Sequence, residues 1–223
     1  MTPRSASVNE ELRRRSRERL LRATVELVAE RGYEATTLAD IAVRAGAARG
    51  LVSYYFSGKR ELFQCAVHRL MHRTVSAALS RPSRRPEAEA GPEALARAVD
   101  AILGLTQDQP LLMRTHMAGL VTAEGFIECS EQQELARRLQ EAVRAYGSRS
   151  VERDYRLLRA VLMGSVYTLL LPGAQLPLDA VRREVFDRFG LDWDMGDPPD
   201  GDGPGTDLPP APPGALHRSL PRV

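Results

Sequence analysis

Residues 32–59 read GYEATTLADIAVRAGAARGLVSYYFSGK, and their punctuation decides the fold. Thr37-Leu38-Ala39-Asp40 has the form of a capping box, in which the hydroxyl takes a free backbone N–H and the carboxylate sits near the positive end of a helix. The helix it opens is predicted to run to about Ala45, with Gly46 as its stop. A short third helix follows over Ala48–Tyr54, and Ser57-Gly58 breaks the chain before a long fourth helix that reaches about Ser80. Upstream, Leu20, Ala23 and Leu27, with the offset row Leu21, Val25 and Val28, recur at helical spacing. They predict a first helix over about Glu10–Arg31, ended by Gly32. Three helices with a tight Gly turn between the second and third make a helix-turn-helix. Such a unit lays its second helix across the DNA backbone and its third in the major groove. Ala39, Ile41, Ala42, Ala45 and Val52 supply the small apolar packing face; Arg49, Ser53, Tyr54 and Tyr55 can reach bases and phosphates.

The rest of the 223-residue chain also reads as helical, so the expected fold class is all-α. A loop is predicted over Arg81–Pro92, followed by helices over Pro92–Thr106, Pro110–Ala123, Ser130–Tyr146, Glu152–Leu171 and Leu178–Phe189. From Met195 onward 13 of 29 residues are Pro or Gly and none is aromatic, a tail too poor in apolar surface to offset the entropy of ordering. The expected organisation is a flexible start or arm (1–16), a helix-turn-helix domain (17–77), a larger helical effector-binding and dimerisation domain (78–194) and a disordered tail (195–223).

Residues 1–60 carry twelve Lys and Arg against seven Asp and Glu, a net of +5; the remainder carries nineteen against twenty-two, a net of −3. A basic front on a mildly acidic body suits an end that meets a polyanion. Thirty of the thirty-one cationic residues are Arg, and Lys59 is the only Lys, so Arg abundance is compositional and says little by itself. Cys65 and Cys129 make no disulfide framework, which points to a reduced cytoplasmic setting. No apolar signal region stands at the start, and the longest charge-free apolar run, Ala160–Leu171, falls short of the roughly 20 residues a membrane span needs.

Arg17–Val67 resembles the DNA-binding domain of the TetR family. The points of match are ERGYEATT after the first helix, then ADIA, then AGxxxGxVxxYF, then a Lys before Glu-Leu. The resemblance covers the first third of the chain; beyond it only helix count and order agree. It implies a transcriptional regulator that binds a double-stranded operator as a homodimer, without a cofactor. It further implies base contacts from Arg49, Gly50, Leu51 and Ser53, and phosphate contacts from Thr37, Tyr54, Tyr55 and Lys59. Thr37 and Lys59 also fall at helix N-termini, where backbone N–H groups attract phosphate. Thr37 as a cap only, and one of Tyr54 and Tyr55 as core, stay open alternatives; Phe56 reads as core. Ala48 departs from the family's usual Ser or Thr, which removes a cap worth on the order of 1 kcal/mol.

Leu157–Leu171 contains a single charge, Arg159, so this helix is apolar nearly all round and must be covered on several sides. The family dimerises through its last two helices, which implies an interface at Leu157, Val161, Gly164, Val185 and Phe189, with Val181 beside them. The centre of a monomer's core is the competing reading. The middle helices would hold a small-molecule effector; candidates are Met113, His116, Met117, Phe126, Tyr146, Met163 and Tyr167. Met and aromatic residues at this spacing also suit an ordinary core, so both readings stand. Cys65, His68 and His72 share one face of the fourth helix and could bind a metal, but that face lies opposite the stripe Phe63, Ala66, Val67, Leu70 and Thr74. A polar outer face accounts for them, and no metal is expected. Arg114, Thr115 and His116 make no nucleophile–base pair, and no paired carboxylates carry a motif, so no enzymatic site is expected. A metal-dependent helical protein and a helical interaction scaffold are the competing classes.

Overall fold

Helix after helix is built from apolar stripes that meet over one continuous core. The computed structural model describes residues 3–120, 127–173 and 176–196, and among them it contains nine helices and no strand. α1 (Pro3–Arg31) begins seven residues before the expected start at Glu10, well ahead of its apolar rows. That polar first part carries the ion pairs of Glu11 with Arg14 and Arg15, three and four residues on, which suit an exposed helix. Leu20, Leu21, Ala23, Val25, Leu27 and Val28 are buried, as the two offset rows require.

α2 (Leu38–Arg44) starts on the capping box: the Thr37 hydroxyl accepts from the Asp40 N–H, and the Asp40 carboxylate accepts from the Thr37 N–H at 3.0 Å. It ends at Gly46, whose φ of +59° is the left-handed conformation a side chain would resist. That residue turns the chain so that the Ala47 N–H meets the Ala42 carbonyl at 2.9 Å. α3 (Arg49–Tyr55) and α4 (Lys59–Leu79) follow. α4 packs both on α1 and on the helices of the body that follow it.

The body is α5 (Glu87–Asp108), α6 (Pro110–Leu120), α7 (Ser130–Ala145), α8 (Val151–Leu170) and α9 (Leu178–Phe189). The loop expected over Arg81–Pro92 is shorter, because α5 already starts at Glu87 and holds Pro92 inside it. Proline removes only the bond to Ala88, an exposed residue of the first turn, where water can replace it. Gly91 permits this start to press on the end of α7: a Cβ there would overlap the Ala145 carbonyl. Arg97 fastens the loop, donating to the Arg81 and Pro82 carbonyls at 2.9 and 3.0 Å and to Glu93 at 2.6 Å.

Two further expectations change. The face of α4 with Cys65 and His68 is not an outer face: every residue from Leu62 to His68 is buried, since α1, α5, α6 and α7 surround this stretch. The chain also stays packed past residue 194. Met195 is buried, and its carbonyl and that of Trp193 both accept from Arg182 at 2.8 Å. Arg182 is itself wholly buried, forked onto Asp100 at 2.7 and 3.1 Å and stacked on the Phe186 and Trp193 rings. The remaining part of the expected tail, 197–223, lies outside the described residues, as does Phe126. No described helix is long and apolar enough to cross a membrane.

Candidate nucleic-acid interface

α3 owes its orientation to one side chain pointing inward and several pointing out. Val52 is 1% exposed and Phe56, the residue that ends the helix, 3%; both are part of the buried core. Arg49, Gly50, Ser53 and Tyr54 are exposed, and Leu51 is half-buried beside them. The structure thus brings the four residues expected at bases onto the outward side of one two-turn helix. Arg49 has no acidic partner among the described residues, which leaves its guanidinium available to an outside acceptor.

The residues expected at phosphates are more engaged with the protein. Thr37 is exposed, but its hydroxyl serves the cap of α2, donating to Asp40 at 2.6 Å while accepting the Asp40 N–H. Hydrogen bonds from the Thr37 hydroxyl and N–H hold Asp40 below the usual carboxylate range, and Arg31 adds to the effect. Tyr54 stands out into solvent, whereas Tyr55 is half-buried against it at 5.0 Å and donates its hydroxyl to the Arg13 carbonyl of α1. Lys59 opens α4 and folds back: its ammonium donates to the Tyr33 carbonyl at 3.0 Å and rests 4.2 Å from that ring's centroid. Ala48 is the N-cap of α3, with extended backbone and no side-chain cap.

Below this unit the body holds a small, partly open cavity, about 650 Å³ of space when the open solvent around its mouth is included. Of the effector candidates, Met113, His116, Met117 and Met163 line it. Tyr146 does not; its hydroxyl donates to the Phe189 carbonyl at 2.5 Å and so ties α7 to α9. Tyr167 lies outside it, 56% exposed on the far face of α8. Among the described residues Arg159 is the only Asp, Glu, Lys or Arg in the lining, and the walls are otherwise mostly apolar, with His68, His116, Gln132 and Tyr155 as polar groups. Burial, and then the neighbouring His68, push His116 down to about 3, so it is neutral at physiological pH.

Of the expected dimer residues, Leu157 and Gly164 are exposed on α8, and Val161 and Phe189 are half-buried. Val185 is a correction. At 2% exposed, it faces its own protomer's core beside Val181 and Phe186, because α9 turns its apolar stripe onto α5 and α8.

Two residues the sequence reading passed over tie the two parts together. Arg17 of α1 donates to Glu131 of α7 at 2.9 Å, and its guanidinium lies 5.1 Å from the centroid of the Phe56 ring that ends α3. Beside Glu131, the Cys129 thiol is pulled down by a hydrogen bond from Cys65 and by His68, while Cys65 is pushed up by the same bond and by burial. No periodicity marks these contacts.

This geometry defines an all-helical protein with an N-terminal helix-turn-helix and a cavity-bearing helical body. Residues 20–66, the helix-turn-helix part of the chain, match the family described as bacterial regulatory proteins, tetR family. The HTH-type transcriptional regulator BetI of Burkholderia mallei (strain NCTC 10229) is 37% identical over 103 residues, 46% of this chain and 51% of its own length. BetI 1 of Chromohalobacter salexigens is 30% identical over 102 residues, 46% and 50% of the two chains. The chain thus spans about half the length of the curated relatives it matches. A TetR transcriptional regulator from Rhodococcus sp. RHA1 superposes with a TM-score of 0.61 at 21% identity, covering 79% of this chain and 94% of that one. FadR from Bacillus subtilis, solved in complex with stearoyl-CoA, does so at 0.52 and 16%, covering 77% and 96%. At such identities the likeness is one of fold.

Proposed function

We propose that this chain is a one-component transcriptional regulator that binds a palindromic operator as a homodimer, and that it is a repressor released by a small apolar effector. The observation that carries the reading is the outward face of α3: Arg49, Gly50, Ser53 and Tyr54 stand exposed on a helix whose other side is locked by Val52 and Phe56. A guanidinium and a hydroxyl on a fixed helix are what direct reading of base edges requires. The curated relatives are HTH-type transcriptional regulators, which favours regulation over catalysis. For the effector, the support is the cavity with its four Met side chains, Met71, Met113, Met117 and Met163, and the stearoyl-CoA held by the FadR neighbour. Such a regulator works in the cytoplasm, where its operator is.

In vitro selection on random DNA with the full chain tests this. The expected result is a two-fold symmetric site with half-sites about one helical turn apart, 10–10.5 base pairs or a multiple. Recovery of DNA without sequence preference would overturn it. An apolar ligand that lowers operator affinity should lose that effect when Met117→Trp fills the cavity.

A further inference from the structure

We propose that Cys65, Cys129 and Glu131, with His68 as a fourth donor, form a binding site for a thiophilic divalent metal ion such as zinc, and that its occupation takes Glu131 away from Arg17. The two Sγ atoms and a carboxylate oxygen of Glu131 lie within 4.8 Å of one another, and all three residues are buried. His68 Nδ1 is 3.3 Å from Cys129 Sγ. Ligands bound at about 2.0–2.3 Å around a tetrahedral zinc are separated by roughly 3.3–3.8 Å, so small side-chain rotations close this cluster on an ion.

The donors come from two facing helices. Cys65 and His68 are three residues apart on one side of α4; Cys129 and Glu131 stand at the start of α7. Two thiolates, an imidazole and a carboxylate form a set that selects a soft or borderline ion over magnesium or calcium. A buried pair of thiols beside a buried carboxylate has little to offer as ordinary packing, because the carboxylate needs a positive partner. Arg17 is that partner now. A divalent ion would supply the charge instead and compete for the same oxygens.

The consequence reaches the DNA-binding domain, and here the inference rests on the function proposed above. Arg17 joins Glu131 of the body to Phe56 at the end of α3. An ion that engages Glu131 frees Arg17 and loosens the recognition helix from the body, so metal and operator binding are coupled, reciprocally.

The test uses the full chain, reduced and stripped with a chelator. Cobalt(II) is titrated first, because thiolate-to-cobalt charge-transfer bands report sulfur ligation directly; zinc is then used to displace it. One equivalent per chain is expected. Cys129→Ser should weaken uptake by more than about tenfold. This variant should fold, since Cys129 is the N-cap of α7 without a side-chain cap and serine is a better cap. Glu131→Gln should weaken uptake less and should make operator affinity insensitive to zinc. Absence of charge-transfer bands, or uptake unchanged in Cys129→Ser, overturns the site. Normal uptake with zinc-independent operator affinity overturns the coupling. Failure to bind any operator would refute the proposed function, while the cobalt spectrum would still judge the site.

Discussion

Ala48 shows how far one atom matters at the interface. Its φ of −65° and ψ of 140° are those of an N-cap, but a methyl group cannot accept the free N–H groups of α3. Ala48→Ser is expected to stabilise the chain by about 0.5–1 kcal/mol, visible as a raised melting temperature; no gain would mean the first turn is satisfied in another way. Arg49 and Lys59 should separate in function. Arg49→Ala is expected to cost about 1–3 kcal/mol on the operator and to relax base preference at one position per half-site. Lys59→Ala should weaken operator and random DNA alike and lower the salt slope. Lys59 also holds the Tyr33 carbonyl and ring, so its loss should reduce thermal stability, whereas the exposed Arg49 should not. Equal weakening of both DNAs by Arg49→Ala would make it a phosphate contact. His116 gives a pH signature. Its folded pKa, about 3, lies below the unfolded value near 6.5, so its contribution is intact above pH 6.5 and is lost progressively as pH falls toward 3. At pH 5 the loss is about 2 kcal/mol. His116→Leu should flatten the fall in stability between pH 6.5 and 5, measured by denaturant unfolding of metal-free protein.

At the scale of helices, what could be read from sequence was what local spacing encodes. The capping box at Thr37, the stop at Gly46 and the small residues Ile41, Ala42 and Val52 act within a few positions of each other, and α2 and α3 lie within a residue of their expected bounds. The Cys65 and His68 face was misread because a polar residue type was equated with solvent, whereas α7 covers that face. Arg17 and Glu131 are 114 positions apart, and Arg182 and Asp100 are 82 apart; no periodicity connects such partners. The second pair is the stronger test of packing between α5 and α9. Arg182→Ala would strand a buried Asp100 carboxylate and should cost about 3–5 kcal/mol. A joint Arg182→Met, Asp100→Leu change should cost much less than that single substitution. Equal losses would mean that the cation's stacking on Phe186 and Trp193, rather than the charge pair, holds α9.

The whole molecule presents one apolar row that its own fold leaves bare. Leu157, Ala160, Gly164 and Tyr167 recur at three- and four-residue steps along α8 and are all exposed, with Leu157 at 42% and Tyr167 at 56%. The inward side of the same helix, Leu158, Leu162, Val166 and Leu170, is buried in the protomer. A helix apolar on both sides needs a second cover, and a two-fold copy of itself would supply one, with Gly164 allowing the closest approach. Sequence reading put Val185 in this surface together with Gly164, but the structure buries Val185 in the protomer core. The two positions therefore separate assembly from folding. At Gly164 a side chain meets open space, so Gly164→Arg should leave the melting temperature of the protomer nearly unchanged while giving a monomer by light scattering. Val185→Ala should destabilise the protomer by roughly 1–3 kcal/mol through lost burial and a small cavity, without shifting the monomer–dimer balance. Operator affinity should fall sharply only with Gly164→Arg, since two recognition helices must be held at a fixed spacing to read both half-sites at once. A dimer that survives Gly164→Arg would move the interface off this face of α8.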